Sequence, residues 1–284
     1  MRYILVCVMI FCVSPVWAQD MPVNTNANEP LEITAGKSLE WYRQDKKYVA
    51  RGDVRARQGV TQITSDLLTA DYTEGAKGST EISLLTAEGN VVISDDENTA
   101  HGNKAVYDVP QSYAVLTGGD LKLVSPGQTI TATNRMEYWS QKREAVAVGN
   151  AKVTRPSDTI SADTLKAFFT QDPKTGETKV SRMEAHGNVV IITKEEKLTG
   201  DKGIYKAENN MAEIIGHVRI ERGPNILEGE RAEVNLTTNV SKMFGGATSP
   251  TGDSRVRGVF YPGSEDTSKP ASEPLPQSPA KGTP

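Results

Sequence analysis

The chain contains the heptapeptide AEGNVVI at residues 87–93 and repeats it almost unchanged, as AHGNVVI, at residues 185–191. Both copies share a glycine, a polar residue after it and apolar residues at alternate positions beyond. The pattern starts a repeat unit at six glycines, with a degenerate seventh copy at Gly245; the six are Gly52, Gly89, Gly119, Gly149, Gly187 and Gly216. Spacings of 37, 30, 30, 38, 29 and 29 residues divide the units into two triplets of 97 and 96 residues. The sequence therefore indicates duplication of a segment of about a hundred residues.

The residues around each repeat glycine alternate between apolar and polar side chains. Val91 and Ile93 occupy the second and fourth positions after Gly89, and Ala87 continues the alternation backwards. A period of two is typical of a strand with one buried face, and a glycine inside such a strand lets it bend. Since no stretch shows a 3.6-residue period of helix length, the sequence predicts an all-β stack of bent antiparallel hairpins with no significant helix.

A second constant spacing follows each repeat glycine, and we call the residue fourteen positions after the glycine the landmark residue. The landmark residues are Asp66, Asn103, Thr133, Asp163, Asp201 and Glu230. A small residue directly precedes each of them, and in five units an aromatic residue follows, at Tyr72, Tyr107, Tyr138, Phe168 and Tyr205. A constant distance between glycine and landmark residue implies a fixed hairpin length in every unit.

Residues 1–18 have the features of a secretory signal peptide. Arg2 precedes an apolar run over residues 3–13, and the tripeptide VWA at residues 16–18 is a small-residue cleavage pattern. An uncleaved membrane anchor is the alternative, but the apolar run is shorter than the roughly 20 residues needed to span a bilayer. We therefore expect export to the periplasm.

The composition of the chain argues against nucleic acid as a partner, against disulfides in the exported protein and for a disordered C-terminal tail. The formal net charge is −4, with 32 basic and 36 acidic residues, so nucleic acid is not expected as a partner because its phosphates require a basic surface. Both cysteines, Cys7 and Cys12, lie in the signal segment, and the exported chain must be held together by burial and strand pairing rather than by disulfides. Residues 263–284 are rich in Pro, Ser, Glu and Lys and are expected to be disordered.

An apolar stripe repeated in stacked units makes a continuous apolar interior. It can be the filled core of a structural β-solenoid without a ligand, or a trough that two sheets of bent strands leave open for a long hydrophobic ligand. The inward residues are mostly Val, Ile, Leu and Ala, and the chain has 5 Phe in all, which favours incomplete filling. The candidate residues for lipid binding are Val91, Ile93, Leu121, Leu123, Val153, Val189, Ile191, Val218 and Ile220.

The segments GNKAVY at residues 102–107 and GDKGIY at residues 200–205, with the GNVxI strands and the signal peptide, resemble the OstA-like family. The similarity extends over about residues 30–250. It implies a twisted, open β-jellyroll of two sheets, with a first module at residues 30–148 and a second, continuous with it, at residues 149–262. It also implies a periplasmic, non-enzymatic protein of lipopolysaccharide transport, which shields the acyl chains of lipid A on the way from the inner to the outer membrane.

The resemblance also implies partners, and the residues leave alternatives open. The implied partners are lipopolysaccharide, an inner-membrane LptC-like subunit and an outer-membrane LptD-like translocon, with no cofactor. Unpaired strands at both ends of the stack predict a head-to-tail homo-oligomer.

One alternative function is an exported polysaccharide-degrading β-solenoid enzyme that uses Asp66, Asp163 or Asp201. Another is a membrane-anchored LptC-like subunit. The 3 histidines are far apart in the sequence and predict no metal site.

Overall fold

The computed structural model describes residues 30–75, 80–172, 174, 176, 178–238, 240–246 and 255–262. The predicted signal peptide at residues 1–18 and the predicted disordered tail at residues 263–284 lie outside the described residues. All regular elements in the described part are β-strands, and that part contains no helix with the length and apolar character needed to cross a membrane.

The strands of the described residues fall into a long and a short class. The long strands, of 10 to 16 residues, are β3 (Lys47–Gln58), β4 (Thr61–Glu74), β5 (Thr80–Ser94), β6 (Thr99–Asp108), β11 (Glu144–Thr154), β12 (Asp158–Gln171), β13 (Thr178–Thr193), β14 (Lys197–Lys206), β15 (Met211–Arg222) and β16 (Asn225–Asn235). The short strands, of 3 to 5 residues, are β1 (Glu32–Thr34), β2 (Ser38–Tyr42), β7 (Tyr113–Thr117), β8 (Leu121–Ser125), β9 (Gln128–Ala132), β10 (Arg135–Trp139), β17 (Val240–Phe244) and β18 (Arg257–Val259).

All of these strands belong to one antiparallel hydrogen-bonded sheet. Each long strand pairs with its neighbours in chain order, from β3 to β6 and from β11 to β16. Between β6 and β11, two short strands in succession occupy the position of one long strand: β7 and β8 both pair with β6, and β9 and β10 both pair with β11. The same arrangement ends the sheet, where β1 and β2 both pair with β3, and β17 and β18 both pair with β16. The ladder has no break at residue 148, and the division into two modules stays a prediction.

Each long strand is bent at its repeat glycine or opposite a neighbour's. The pairing of β3 with β4 shifts register between Arg51 and Val54, on either side of Gly52, and the equivalent shifts recur at the other bends. We call the half of the sheet that includes residues 47–51 the first arm, and the half that includes residues 54–58 the second arm. The two predicted sheets are the two arms of this sheet, and the predicted all-β fold, a twisted open β-jellyroll of bent antiparallel hairpins, is confirmed.

Two consecutive residues with left-handed backbone conformation fix each bend. In the repeat unit that starts at Gly89, φ is 79° at Gly89 and 46° at Asn90. A side chain at this glycine would overlap the carboxylate of Asp66, and Asn90 Nδ2 donates a hydrogen bond of 2.8 Å to Asp66 Oδ2. Glycine and asparagine tolerate positive φ better than other residues, which explains why this pair recurs along the chain.

An equivalent contact explains two further landmark residues. Asn188 Nδ2 donates to Asp163 Oδ2 at 2.9 Å, and His217 Nδ1 lies 2.8 Å from Asp201 Oδ2. In these three units the landmark aspartate therefore binds the residue after the glycine of the next unit and holds the bend of the adjacent strand. Asp66, Asp163 and Asp201 have this structural role, so the observation that suggested a polysaccharide-degrading enzyme has a different explanation.

The core lies between the two arms, whose buried apolar side chains form one main cluster. Small residues on the second arm let the first arm approach closely. A Cβ atom at Gly102 would lie 2.8 Å from Leu116 Cδ1 and 3.0 Å from Leu121 Cδ2, and a Cβ atom at Gly200 would lie 2.5 Å from Ile214 Cγ2. The small residue before these landmark residues therefore leaves room for a side chain of the opposite arm.

Candidate functional site

The candidate site is the trough, by which we mean the space between the inward faces of the two arms. Its second-arm wall carries all of the sequence-predicted lipid-binding residues, in two rows. The row next to the bend contains Val91, Leu121, Val189 and Val218, each 1% exposed. The row farther from the bend contains Ile93, Leu123, Val153, Ile191 and Ile220, which are 5% to 9% exposed. All of them belong to the same apolar cluster.

Each half of the described chain has a cavity between the arms. The first has a volume of about 80 Å³ and has Ile93 in its wall. The second has a volume of about 40 Å³ and has Val189 and Ile191 in its wall. The remaining predicted residues pack in the core and line neither of these cavities; they are Val91, Leu121, Leu123, Val153, Val218 and Ile220. Three of the nine predicted residues thus border these cavities, and the lipid-binding role of all nine stays a prediction.

The opposite wall belongs to the first arm, and the sequence analysis missed it. Leu85, Tyr107 and Tyr138 line the first cavity, while Met183 and Tyr205 line the second. The tyrosines are the recurring aromatic residues that follow the landmark residues by four or five positions. Their recurrence was a usable signal, because a buried aromatic side chain at a fixed repeat position indicates a shared inward direction.

Tyr205 shows how the margin of this wall is built. Its ring lines the second cavity, whereas its hydroxyl donates a hydrogen bond of 3.1 Å to Asn210 Oδ1. Burial raises the pKa of Tyr205, and the nearby guanidinium of Arg155 partly offsets this shift. Arg155 follows a second-arm strand, so a second-arm turn and a first-arm wall residue come near each other at the margin of the trough.

Polar residues line the trough where the second arm ends. They close the hairpin turns there, and by strand alternation they stand on the inward side of their strands. We call these residues the lip, and they are Gln58 with Thr61, Asp95 with Asn98, Ser125 with Gln128, Arg155 with Asp158, Thr193 with Glu196, and Arg222 with Asn225. A ligand that reaches from the apolar interior to solvent on this side passes the lip.

The lip differs between the two halves of the chain. In the first half it is mostly uncharged, and Gln58 and Thr61 form part of the wall of the first cavity. In the second half, Arg155 Nε donates to Asp158 Oδ1 at 2.9 Å, and both side chains are nearly buried. The wall of the second cavity includes no lip residue. Polar groups of the lip therefore reach the open volume in the first half of the trough.

Glu196 is the most deeply buried acidic residue of the lip, with 5% of its surface exposed. Its Oε1 lies 3.8 Å from Arg222 Nη1, and Arg222 Nη2 donates to Glu195 Oε2 at 3.0 Å. Burial raises the pKa of Glu196, the charge of Arg222 counteracts the shift, and the charge of Glu195 adds to it. The lip of the second half thus contains ion pairs between neighbouring turns.

The outward faces of both arms carry charged residues. On the first arm, Lys104 Nζ lies 2.7 Å from Glu88 Oε1, and on the second arm Arg219 pairs with Glu228; both pairs connect neighbouring strands. Exposed ion pairs of this kind contribute little to stability, but they give the outside of the sheet a hydrophilic surface. Among the described residues, no group of three or more His, Cys, Asp or Glu side chains could hold a metal ion.

Bent antiparallel strands, an apolar trough between their arms and charged outer faces define the chain as an open β-jellyroll with an enclosed apolar surface. The family model of the LptA/(LptD N-terminal domain) LPS transport protein matches it twice, at residues 32–142 and 129–240. These matches cover more than half of the chain, and the chain belongs to this family of lipopolysaccharide-transport proteins. The resemblance to OstA-like proteins is thereby confirmed. The prediction that the chain is not an enzyme is confirmed as well, because the family consists of transport components.

Two individual proteins are similar to the chain. An uncharacterised protein of Rhizobium meliloti (strain 1021) is 22% identical over 115 residues, which are 39% of this chain and 62% of that protein, less than two thirds of its length. The crystal structure of LptH, the LptA homologous periplasmic component of lipopolysaccharide transport in Pseudomonas aeruginosa, is 15% identical. That match covers 82% of this chain and 96% of LptH, with a TM-score of 0.20. The family assignment rests on the two matches to the family model.

Proposed function

We propose that this chain is a periplasmic carrier that shields the acyl chains of lipid A in its trough during transport of lipopolysaccharide from the inner to the outer membrane. The observation that carries the proposal is the apolar interior between the arms, which extends through both halves of the chain. Each methylene group withdrawn from water contributes about 0.8 kcal/mol, so a few acyl carbons give useful affinity without a charged site. Membership of a lipopolysaccharide-transport family supports lipopolysaccharide as the cargo.

The trough is nearly filled in the conformation described. The first cavity, of about 80 Å³, is smaller than the roughly 150 Å³ of an apolar cavity that binds benzene. Cargo binding therefore requires the arms to move apart. The glycine bends are suitable hinges for this movement, because an acyl chain that enters replaces apolar contacts between the arms with similar apolar contacts to itself.

The two ends of the ladder suit pairing with another protein. The N-terminal end exposes Leu39 and Trp41 of β2, and the C-terminal end exposes Val240 of β17 and Phe260 beside β18. At the N-terminal end, the chain runs from β1 in the second arm to β2 in the first arm. At the C-terminal end, it runs in the opposite direction, from β17 in the first arm to β18 in the second arm. A copy added head to tail thus continues the antiparallel ladder. We assign these ends to head-to-tail homo-oligomers and to pairing with an inner-membrane LptC-like subunit and an outer-membrane LptD-like translocon.

Site-specific photo-crosslinking in the periplasm tests the trough. A photo-reactive phenylalanine analogue replaces Ile93 or Ile191, which line the cavities, and Lys152 serves as the matched control because it lies exposed on the outward face of β11. Lipopolysaccharide adducts are expected at Ile93 and Ile191 and not at Lys152, in variants whose circular dichroism shows a folded β protein. Equal labelling at all three positions would refute the assignment of the cargo to the trough.

A further inference from the structure

The lip of the first half contains a buried hydroxyl group without a partner. Thr61 lies at the start of β4 and lines the first cavity together with Gln58 and Ile63. Its Oγ1 is buried, and no described residue provides a hydrogen-bond partner for it. Leaving a buried hydroxyl unsatisfied is unfavourable, and native structures contain few such groups.

In the second half, the residue equivalent to Thr61 is Asp158, whose carboxylate accepts a hydrogen bond within the protein. Ninety-seven residues further along the chain, Arg155 and Asp158 stand in place of Gln58 and Thr61, and their side chains are hydrogen-bonded to each other at 2.9 Å. Neither of them lines the second cavity. Thr61 is therefore a lip residue in the wall of the first cavity whose buried hydroxyl lacks a partner among the described residues, unlike the equivalent Asp158.

We infer that Thr61 is a binding subsite for the ester or amide linkage of an acyl chain held in the first cavity. The inference rests on the proposed function, since it requires an acyl-linked ligand in the trough. The walls around Leu85 and Ile93 are apolar and match methylene groups, whereas the lip is where a lipid changes from its apolar tail to its polar headgroup. The carbonyl of an ester or amide is the first polar group after the tail, and it accepts a hydrogen bond from a threonine hydroxyl.

Paired ligands and paired variants test this subsite. The probes are 6-O-dodecanoyl maltose and 6-O-dodecyl maltose, which have the same sugar and chain length and differ in the carbonyl group. Thr61→Val removes the hydroxyl and keeps the side-chain shape, Thr61→Ser retains the hydroxyl, and Thr64→Val alters a threonine on the outward face of the same strand. Calorimetric titration of the mature chain below the micellar concentration gives the affinities, and urea unfolding gives the stability of each variant.

The expected result is a preference of the unmodified protein and of Thr64→Val for the ester over the ether by about 3- to 10-fold, the worth of one neutral hydrogen bond. Thr61→Val should lose this preference and unfold at the same or a higher urea concentration, and Thr61→Ser should regain the preference. A preference that persists in Thr61→Val, or a lower unfolding midpoint for that variant, overturns the inference. Equal binding of both probes by the unmodified protein overturns the subsite alone, whereas binding of neither probe overturns the proposed function with it.

Discussion

Replacement of Leu198 by alanine should lower the free energy of unfolding by about 3 to 4 kcal/mol. Leu198 is 0% exposed, stands between Ile191 and Ile220 on the neighbouring strands and lines the second cavity. Truncation of leucine to alanine removes the Cγ and both Cδ groups, and the loss of these buried groups costs about 2.4 kcal/mol in transfer free energy. Each additional 40 Å³ or so of unfilled volume adds about 1 kcal/mol. The existing cavity of about 40 Å³ shows that the surrounding strands do not close over empty space here.

Urea-induced unfolding of the mature chain measures this loss, provided that the slope of free energy against urea concentration is unchanged by the substitution. Leu39→Ala is the matched control, because Leu39 is 57% exposed on the edge strand β2 and its loss should change stability by less than about 0.5 kcal/mol. If Leu198→Ala costs less than about 1 kcal/mol at the same slope, Leu198 is not packed between the arms in solution, and the assignment of this region as a closed interior is wrong.

Three further substitutions test other parts of the molecule. Asp163→Ala removes the acceptor for Asn188 and should cost about 1 kcal/mol of unfolding free energy in urea, while crosslinking of lipopolysaccharide at Ile191 stays unchanged; loss of crosslinking would show that the bend also shapes the trough. Burial raises the pKa of Glu196 above its ordinary 4.5. As the pH rises, the Glu196 carboxyl group therefore loses its proton in the unfolded chain before it does so in the folded protein, and the free energy of unfolding falls from about pH 4.5 through the folded-state pKa. Glu196→Gln should therefore stabilise the protein at pH 7 but not at pH 4, as measured by thermal unfolding, and identical pH profiles would contradict this. Trp41→Glu on the exposed edge strand should weaken head-to-tail association in sedimentation velocity experiments, and unchanged association would exclude this strand from the interface.

The bent strands and their inward faces could be predicted because they depend on residues close together in the sequence. Val91 and Ile93 face inward since strand pleating alternates the side chains, and Gly89 marks the bend through its own backbone conformation. The role of the landmark residue could not be derived in the same way. Asp66 binds Asn90, 24 residues further along and in the next repeat unit, so its function becomes visible only when the strand pairing is known.

The recurring tyrosines indicate an inward direction, but the approach of the two walls of the trough could not be predicted from the sequence. Tyr107 lies on a strand that returns to the first arm, and whether its ring faces Ile93 depends on how closely the arms fold together. That approach is set by contacts between separate strands, such as Leu116 against Gly102. Side-chain alternation gives the face of the sheet on which a residue lies, but it does not give the distance to the opposite face.

The two rows of the second-arm wall have different physical roles. Next to the bend, Val91 is 1% exposed and Gly102 accommodates Leu116 of the opposite arm, so the arms meet and the interior is filled. In the next row, Ile93 is 9% exposed and borders the first cavity, and Thr61 follows at the lip. Substitutions beside the bend should therefore lower stability whether or not cargo is present, because they create a void in a filled interior. Substitutions at the lip should change cargo affinity more than stability, because they alter the polar margin that a ligand contacts when the arms separate.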